Sequence, residues 1–207
     1  MEIEALKLLR MRRAVAAAVF LLAITSYAWC AERANASTLV SAAIAGDEVR
    51  LRNIIGALKA QPKPVRIDRP RARQLNERGL ALWQRQRYAE AAAVFRDAHG
   101  ADASDAEIVE NLGYALLKAG DVAAAEPAIL AALEMGPERA SAWGSLGLIY
   151  AKQGKHREGV ACVLTAYRFA LQPNRARDVY SHLALADEDP KVRAVMSDVV
   201  SRLGNPR

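Results

Sequence analysis

The segment "NLGYALLKAGD", residues 111–121, carries a glycine in the middle of a pattern that otherwise predicts an α-helix. Its apolar residues recur at spacings of three and four, and Gly120 followed by Asp121 is typical of one helix ending and another beginning. A glycine inside a helix costs about 1 kcal/mol relative to alanine. Gly113 therefore needs a reason, and the rest of the chain supplies one.

Gly113 is the middle member of a set of three glycines spaced 34 residues apart, Gly79, Gly113 and Gly147. Other positions keep the same period, which is how internal repeats appear in a sequence. Counted from each glycine, the recurring residues are a bulky one at +3 (Leu82, Leu116, Tyr150), a small one at +12 (Ala91, Ala125, Gly159), a larger apolar one at +16 (Phe95, Ile129, Val163) and alanine at +19 (Ala98, Ala132, Ala166). We predict three helix-turn-helix repeats, residues 72–105, 106–139 and 140–173, in which the glycine lets the two helices approach closely.

Local chemistry predicts the same helix ends. Ser104 and Glu107 have the spacing of a capping box, and Gly120 and Gly154 are placed as helix stops. After the third repeat, two further amphipathic segments in residues 174–207 predict a degenerate fourth repeat that caps the array.

The 34-residue pattern resembles the tetratricopeptide repeat, because Trp143, Leu146, Gly147 and Tyr150 reproduce the first half of that family's signature. The resemblance implies an all-α fold, a right-handed α-solenoid of helix-turn-helix repeats. To it we add an N-terminal helical hairpin and C-terminal capping helices.

Two segments precede the repeats. Residues 37–60 contain two amphipathic runs, one of which includes Val49, separated by Gly46 and Asp47, and they predict the helical hairpin. Residues 61–71 are a linker rich in proline and arginine, with Asp68 as the only acidic residue. Its basic charge has two interpretations. It could attract anionic lipid headgroups or an acidic partner, or the segment could be only a solvated spacer.

Residues 1–36 have the pattern of an export signal. Four basic residues precede the apolar run "AVAAAVFLLAI", residues 14–24, whose length is typical of a signal-peptide core. We expect a cleaved signal peptide or an uncleaved membrane anchor, with lipid attachment at Cys30 as a third alternative. The predicted compartment is the bacterial periplasm, with the protein soluble after cleavage or anchored to the inner membrane.

Charge and composition exclude several classes of function. The formal net charge is +6, but from Ala72 onward basic and acidic residues balance at seventeen each, so we expect no nucleic-acid partner. His99, His156 and His182 are isolated in sequence, and Cys162 is read as a core residue. We predict no catalytic residues, no metal site and no cofactor, and therefore no enzyme.

The resemblance also implies a peptide-binding groove, because the first helix of each repeat forms the concave wall of such an array. The positions that correspond to this wall, with Asn76, Glu110 and Gly144 beside them, are Arg73, Glu77, Leu80, Glu107, Asn111, Tyr114, Ser141, Ser145 and Leu148. Only Asn111 matches the carboxylate clamp of some co-chaperones, so that mode is excluded. Tyr114 is the leading candidate because an aromatic side chain buries a large area at low entropic cost.

The predicted function is a non-catalytic adaptor that binds a protein or peptide partner, with possible membrane association through the N-terminus. By analogy, it resembles accessory proteins of pilus, secretion and envelope-assembly machines. The alternative is a structural spacer or oligomerising module in which residues 37–71 and the C-terminal cap carry the contacts.

Overall fold

The computed structural model describes residues 34–65 and 67–204. The predicted signal or anchor, apart from residues 34–36, lies outside them, as does Cys30. The fold described below is that of the compact unit Asn35–Arg207. No helix among its described residues is long and apolar enough to cross a membrane.

The described residues form α-helices and no strands. In chain order they are α1 Ala36–Ala45, α2 Glu48–Ala60, α3 Arg69–Gln84, α4 Tyr88–Ala101, α5 Ala106–Lys118, α6 Val122–Met135, α7 Ala140–Lys152, α8 His156–Arg168, α9 Pro173–Ala186 and α10 Pro190–Gly204. Helices α3 and α4, α5 and α6, and α7 and α8 pack as pairs. Successive pairs stack through α4 on α5 and α6 on α7, which gives an all-α solenoid.

The periodic glycines lie where the two helices of each pair meet, as predicted. A Cβ atom added to Gly79 would lie 2.5 Å from the Phe95 ring, and one added to Gly113 would lie 2.6 Å from Ile129 Cδ1. At Gly147 it would overlap Val163 Cγ2 and approach the Gly159 carbonyl oxygen to 3.1 Å. Carbon atoms pack at about 3.5–4.0 Å, so a side chain at Gly79 would displace the Phe95 ring. At Gly113 and Gly147 the added atom also meets backbone atoms of the second helix, so it would push the pair apart.

The turns inside the pairs repeat with the same period. Gly120 and Gly154 adopt φ values of 88° and 78°, in the left-handed region that glycine enters without strain. The equivalent residue in the first pair is Gln86, which adopts a φ of 59° although it has a side chain. The helix stops predicted at the two glycines are therefore confirmed, and the first pair uses a strained residue for the same turn.

The capping box predicted at Ser104 and Glu107 is wrong. Helix α5 begins at Ala106, and its N-cap is Asp105, whose Oδ1 accepts a hydrogen bond of 2.9 Å from the Glu107 N–H. The Ser104 hydroxyl instead donates to Asp102 Oδ1 at 2.6 Å. A carboxylate one residue further along is an equally good cap, and it leaves Ser104 in the loop.

The predicted linker ends earlier than expected. Asp68 is the N-cap of α3, with its Oδ1 accepting from the Arg71 N–H at 3.1 Å, and Pro70 occupies the first turn. Proline is well tolerated there because the first helical N–H groups have no intrahelical partner. Arg69, Pro70 and Arg71 therefore belong to α3 rather than to the linker.

The hairpin formed by α1 and α2 packs against α6 and α8, the second helices of the last two pairs. Three polar contacts fix it there: the Ala36 N–H donates to Glu134 Oε1 at 2.9 Å, Lys59 pairs with Glu138, and Arg168 pairs with Glu48. Its buried apolar side chains are Leu39, Val40, Leu51, Ile54, Ile55 and Leu58. Val49, predicted for this apolar face, is instead exposed.

The last two helices do not simply continue the repeat. Helix α10, rather than α9, packs on α8 and α7 through Val192, Val195, Met196 and Val199. Helix α9 packs mainly on α10 and has no fully buried residue. Leu185, which with Val179 and Leu183 makes up the apolar pattern of this segment in the sequence, is instead 84% exposed. The array is thus closed by α10, and α9 lies apart from the stack.

Candidate binding groove

A concave groove of about 1190 Å³ lies between α5, α7 and α9. Helices α5 and α7 are the first helices of the second and third pairs, so they supply one wall with the repeat period. Helix α9 supplies the other wall because it is not drawn into the stack. The site therefore results from the regular repeat and from the irregular end together.

Five of the nine predicted groove residues line this groove. They are Asn111, Tyr114, Ser141, Ser145 and Leu148, and Gly144 and Glu110 lie beside them. The other four do not line it; Arg73, Glu77 and Leu80 lie on α3, and Glu107 lies in the first turn of α5. The first pair therefore takes no part in the lining, although the repeat period predicts equivalent positions there.

The wall formed by α9 was not predicted. It contributes Val179, Tyr180, His182 and Leu183 to the lining. Val179 is 49% exposed, whereas Tyr180 and Leu183 also pack against the core. The one signal in the sequence is that the apolar residues of α9 recur at helical spacing, and this cannot distinguish a stacked helix from one that borders a groove.

Tyr114 lies at the junction of the groove with an aromatic cluster. Its ring is 6.0 Å from that of Trp83, which in turn lies 6.2 Å from Tyr88 in an edge-on arrangement. Lys118 Nζ lies 5.7 Å from the centre of the Tyr88 ring. Burial, and then the nearby Tyr88, raises the pKa of Tyr114. The phenol is therefore neutral and can donate a hydrogen bond to a bound group.

The Asn111 side chain, near Tyr114, is already hydrogen-bonded within the protein. Asn111 Nδ2 donates to Asn76 Oδ1 at 3.1 Å, which links the first helices of two neighbouring pairs. This bond uses the Asn111 amide N–H and leaves its side-chain oxygen as an acceptor. The first pair thus orients Asn111 without lining the groove.

Glu110, predicted to lie beside the groove wall, does not supply free negative charge there. It is 6% exposed, and its Oε2 lies 2.5 Å from Arg139 Nε in the turn before α7. The arginine stem crosses Gly136, where an added Cβ would come within 2.7 Å of Arg139 Cδ. A buried carboxylate needs such a partner, so Glu110 holds α5 to the next turn.

The charged rim of the groove is mixed. Lys118 and Lys152 lie on the repeat side, and Asp187, Glu188 and Asp189 lie at the end of α9. Lys152 Nζ is 3.7 Å from Asp189 Oδ2, and the N–H of Lys191 holds the pKa of Asp189 below its usual value. A strongly acidic groove is therefore absent from this part of the chain.

His156, one of the three histidines that are isolated in sequence, contacts a carboxylate 42 residues away in the structure. Its Nε2 lies 3.3 Å from Asp198 Oδ2, and Asp198 also accepts from Arg202 Nε at 2.7 Å. The group is exposed and ties α8 to α10. Within the described residues no cluster of three or more histidine, cysteine or acidic side chains is arranged to hold a metal ion.

The comparison with protein families agrees with the geometry. The family model of the tetratricopeptide repeat matches residues 51–106 and 110–176, which span more than half of the chain. No curated protein matches the chain significantly. The paired helices with their 34-residue period, and the extent of this match, show that the chain belongs to the tetratricopeptide repeat family.

Proposed function

We propose that the protein is a non-catalytic adaptor that holds a segment of a partner protein in the groove between α5, α7 and α9. The family is one of protein-protein interaction modules, and the observation that carries the proposal is the groove itself. Its volume of about 1190 Å³ exceeds the roughly 300–1,000 Å³ usual for small-molecule pockets. An extended or helical segment of several residues fits that space.

The lining has the composition that segment recognition needs. Tyr114, Leu148 and Val179 supply apolar contact area, while Ser141 and Asn111 supply hydroxyl and amide groups for the polar backbone of a bound segment. Because the rim carries both lysines and carboxylates, we expect the segment to carry apolar anchors with charges of both signs at its ends.

We place this adaptor in the bacterial periplasm, either free or anchored to the inner membrane, as an accessory to an envelope-associated machine such as a pilus, secretion or envelope-assembly system. The support is the sequence of residues 1–36, in which Lys7, Arg10, Arg12 and Arg13 precede an apolar core. The choice of machine rests on analogy with accessory proteins of the same family.

The spacer alternative is less favoured. In that reading the hairpin would offer its apolar face to another molecule. That face is instead covered by α6 and α8 of the same chain, with Leu39 and Ala42 fully buried. The apolar face of the hairpin is therefore not available to another molecule, whereas the groove is open.

Site-specific photo-cross-linking in cells tests the adaptor proposal. We would place a photoreactive amino acid at Val179, at Ser141, or at Leu185, which is exposed on the same helix as Val179 but does not line the groove. We expect the first two positions to capture the same segment of the same protein, identified by mass spectrometry, and Leu185 to capture none of it.

The captured segment then allows a quantitative test. Val179→Gln, facing the groove, should weaken binding of the synthetic segment about tenfold, since a buried aliphatic side chain contributes about 1.5–3 kcal/mol. Leu185→Gln should leave the affinity unchanged. Equal cross-linking from Leu185, or equal affinities of the two variants, would reject the groove as the binding site.

A further inference from the structure

The segment between α2 and α3 exposes two aliphatic side chains. Val65 is 80% exposed and Ile67 is 77% exposed, and together with Lys63, Arg69 and Arg71 they form what we call the linker patch. These β-branched side chains contribute no burial free energy to the fold, because no part of the described chain covers them.

The basic side chains of the linker patch have no ion-pair partners within the described chain. No acidic side chain there lies within ion-pairing distance of Lys63, Arg69 or Arg71, whereas the preceding basic residue, Lys59, pairs with Glu138. Asp68, the only carboxylate between residues 61 and 76, is used to cap α3. The net positive charge of the patch is therefore open to an external anion.

The N-terminus of α3 is an unfavourable place for two arginines. Arg69 and Arg71 lie in the first turn of α3, which contains no acidic residue. The N-terminus of a helix carries partial positive charge and favours anions, so arginines there weaken the helix slightly. Helix stability does not account for their position, whereas binding of negative charge would.

The patch is held in place at both ends. The Asp68 N–H donates to the Ala101 carbonyl oxygen at 2.9 Å, and the ion pair of Lys59 with Glu138 fixes the end of α2. Pro62 and Pro64 restrict the segment between them. Little conformational entropy is left to lose when the patch binds a surface.

The linker patch follows the end of α2. That end of the hairpin is also where the chain enters the folded unit. The Ala36 N–H donates to Glu134 in the last turn of α6, and Lys59 pairs with Glu138 four residues later. The first residues of α1 and the last residues of α2 therefore meet at one end of α6. The apolar run of residues 14–24 precedes this entry point by only a short stretch of sequence.

We propose that the linker patch binds the surface of an anionic lipid bilayer, with Val65 and Ile67 at the boundary between headgroups and acyl chains. Lys63, Arg69 and Arg71 contact the lipid phosphates. A bilayer accepts protruding aliphatic side chains without a shaped pocket, and basic residues beside them are attracted to anionic headgroups. This site is separate from the groove and does not depend on the adaptor proposal.

A fluorophore on the patch reports on the surroundings of this segment rather than on those of the N-terminal apolar run. In the full chain with Cys30→Ser, we would label Val65→Cys with a polarity-sensitive dye, since Cys162 is fully buried. Vesicles of phosphatidylglycerol and phosphatidylcholine should shift the emission to the blue. Vesicles of phosphatidylcholine alone should not, and a label at Leu171→Cys, which is 99% exposed elsewhere, should not respond.

The double variant Arg69→Gln and Arg71→Gln should raise the lipid concentration needed for half of this response about 30-fold, since each cation near an anionic surface contributes about fivefold. Circular dichroism should show an unchanged fold, because glutamine is a good helix former. An equal shift on neutral vesicles, or none on anionic ones, would overturn the proposal. A shift produced by polyglutamate but not by vesicles would replace the bilayer with an acidic protein.

Discussion

Replacing Gly147 with alanine should destabilise the protein, although alanine is the better helix former. The substitution gains about 1 kcal/mol from helix propensity. Against this, the new Cβ overlaps Val163 Cγ2 and lies 3.1 Å from the Gly159 carbonyl oxygen and 3.3 Å from the Val163 nitrogen. Two of these atoms belong to the backbone of α8, so no rotamer change relieves the contact.

The same substitution three residues earlier is the matched control. Gly144 lies in the same helix, and a Cβ there meets nothing closer than Ala166 Cβ at 4.0 Å. Gly144→Ala should therefore stabilise the protein by up to about 1 kcal/mol. Because the propensity gain is common to both variants, their difference isolates the cost of overpacking, about 1–3 kcal/mol.

Urea unfolding followed by circular dichroism measures both variants under one set of conditions. For a domain of this size 1 kcal/mol corresponds to about 2–4 °C in melting temperature, so thermal unfolding would also resolve the difference. If Gly147→Ala proves as stable as Gly144→Ala, the close approach of α7 to α8 is not what requires glycine, and our reading of the 34-residue period fails.

Three further outcomes are expected. Gln86→Gly should stabilise the protein by about 0.5–1 kcal/mol in urea unfolding, because φ of 59° strains a residue with a side chain; a loss of stability would contradict this. Arg202, and to a lesser extent His156, lowers the pKa of Asp198, so its ionised form stabilises the fold at neutral pH and this contribution is lost as the pH falls through the lowered pKa. Asp198→Asn should then show a flatter loss of stability below about pH 4, and an unchanged acid profile would refute the contact. Burial raises the pKa of the Cys162 thiol, so in a Cys30→Ser variant it should react with a thiol reagent only after unfolding, and equal rates in buffer and in urea would show that it is accessible.

The sequence was sufficient to predict the repeats because their packing is local. Gly113 and Ile129 are 16 residues apart and recur with a fixed period, so one sequence carries three copies of the same constraint. The helix stop at Gly120 is equally local. These features do not depend on where distant parts of the chain are placed.

Features that depend on distant residues could not be predicted. Nothing near Glu110 in the sequence indicates that Arg139, 29 residues away, neutralises it. Ser104 and Asp105 are both acceptable N-caps. The conformation of the loop after α4 determines which of them caps α5. The position of α9 could not be predicted, because α10 occupies the surface of α8 on which α9 would otherwise stack.

The hairpin on α6 and α8 changes how such a chain must fold. A solenoid can form repeat by repeat, since each unit contacts only its neighbours. Here the contact of Ala36 with Glu134 spans 98 residues, and that of Glu48 with Arg168 spans 120. The hairpin is synthesised first, but it is covered only after α6 and α8 have been made. During that interval its apolar face is exposed to solvent and is prone to non-native contacts.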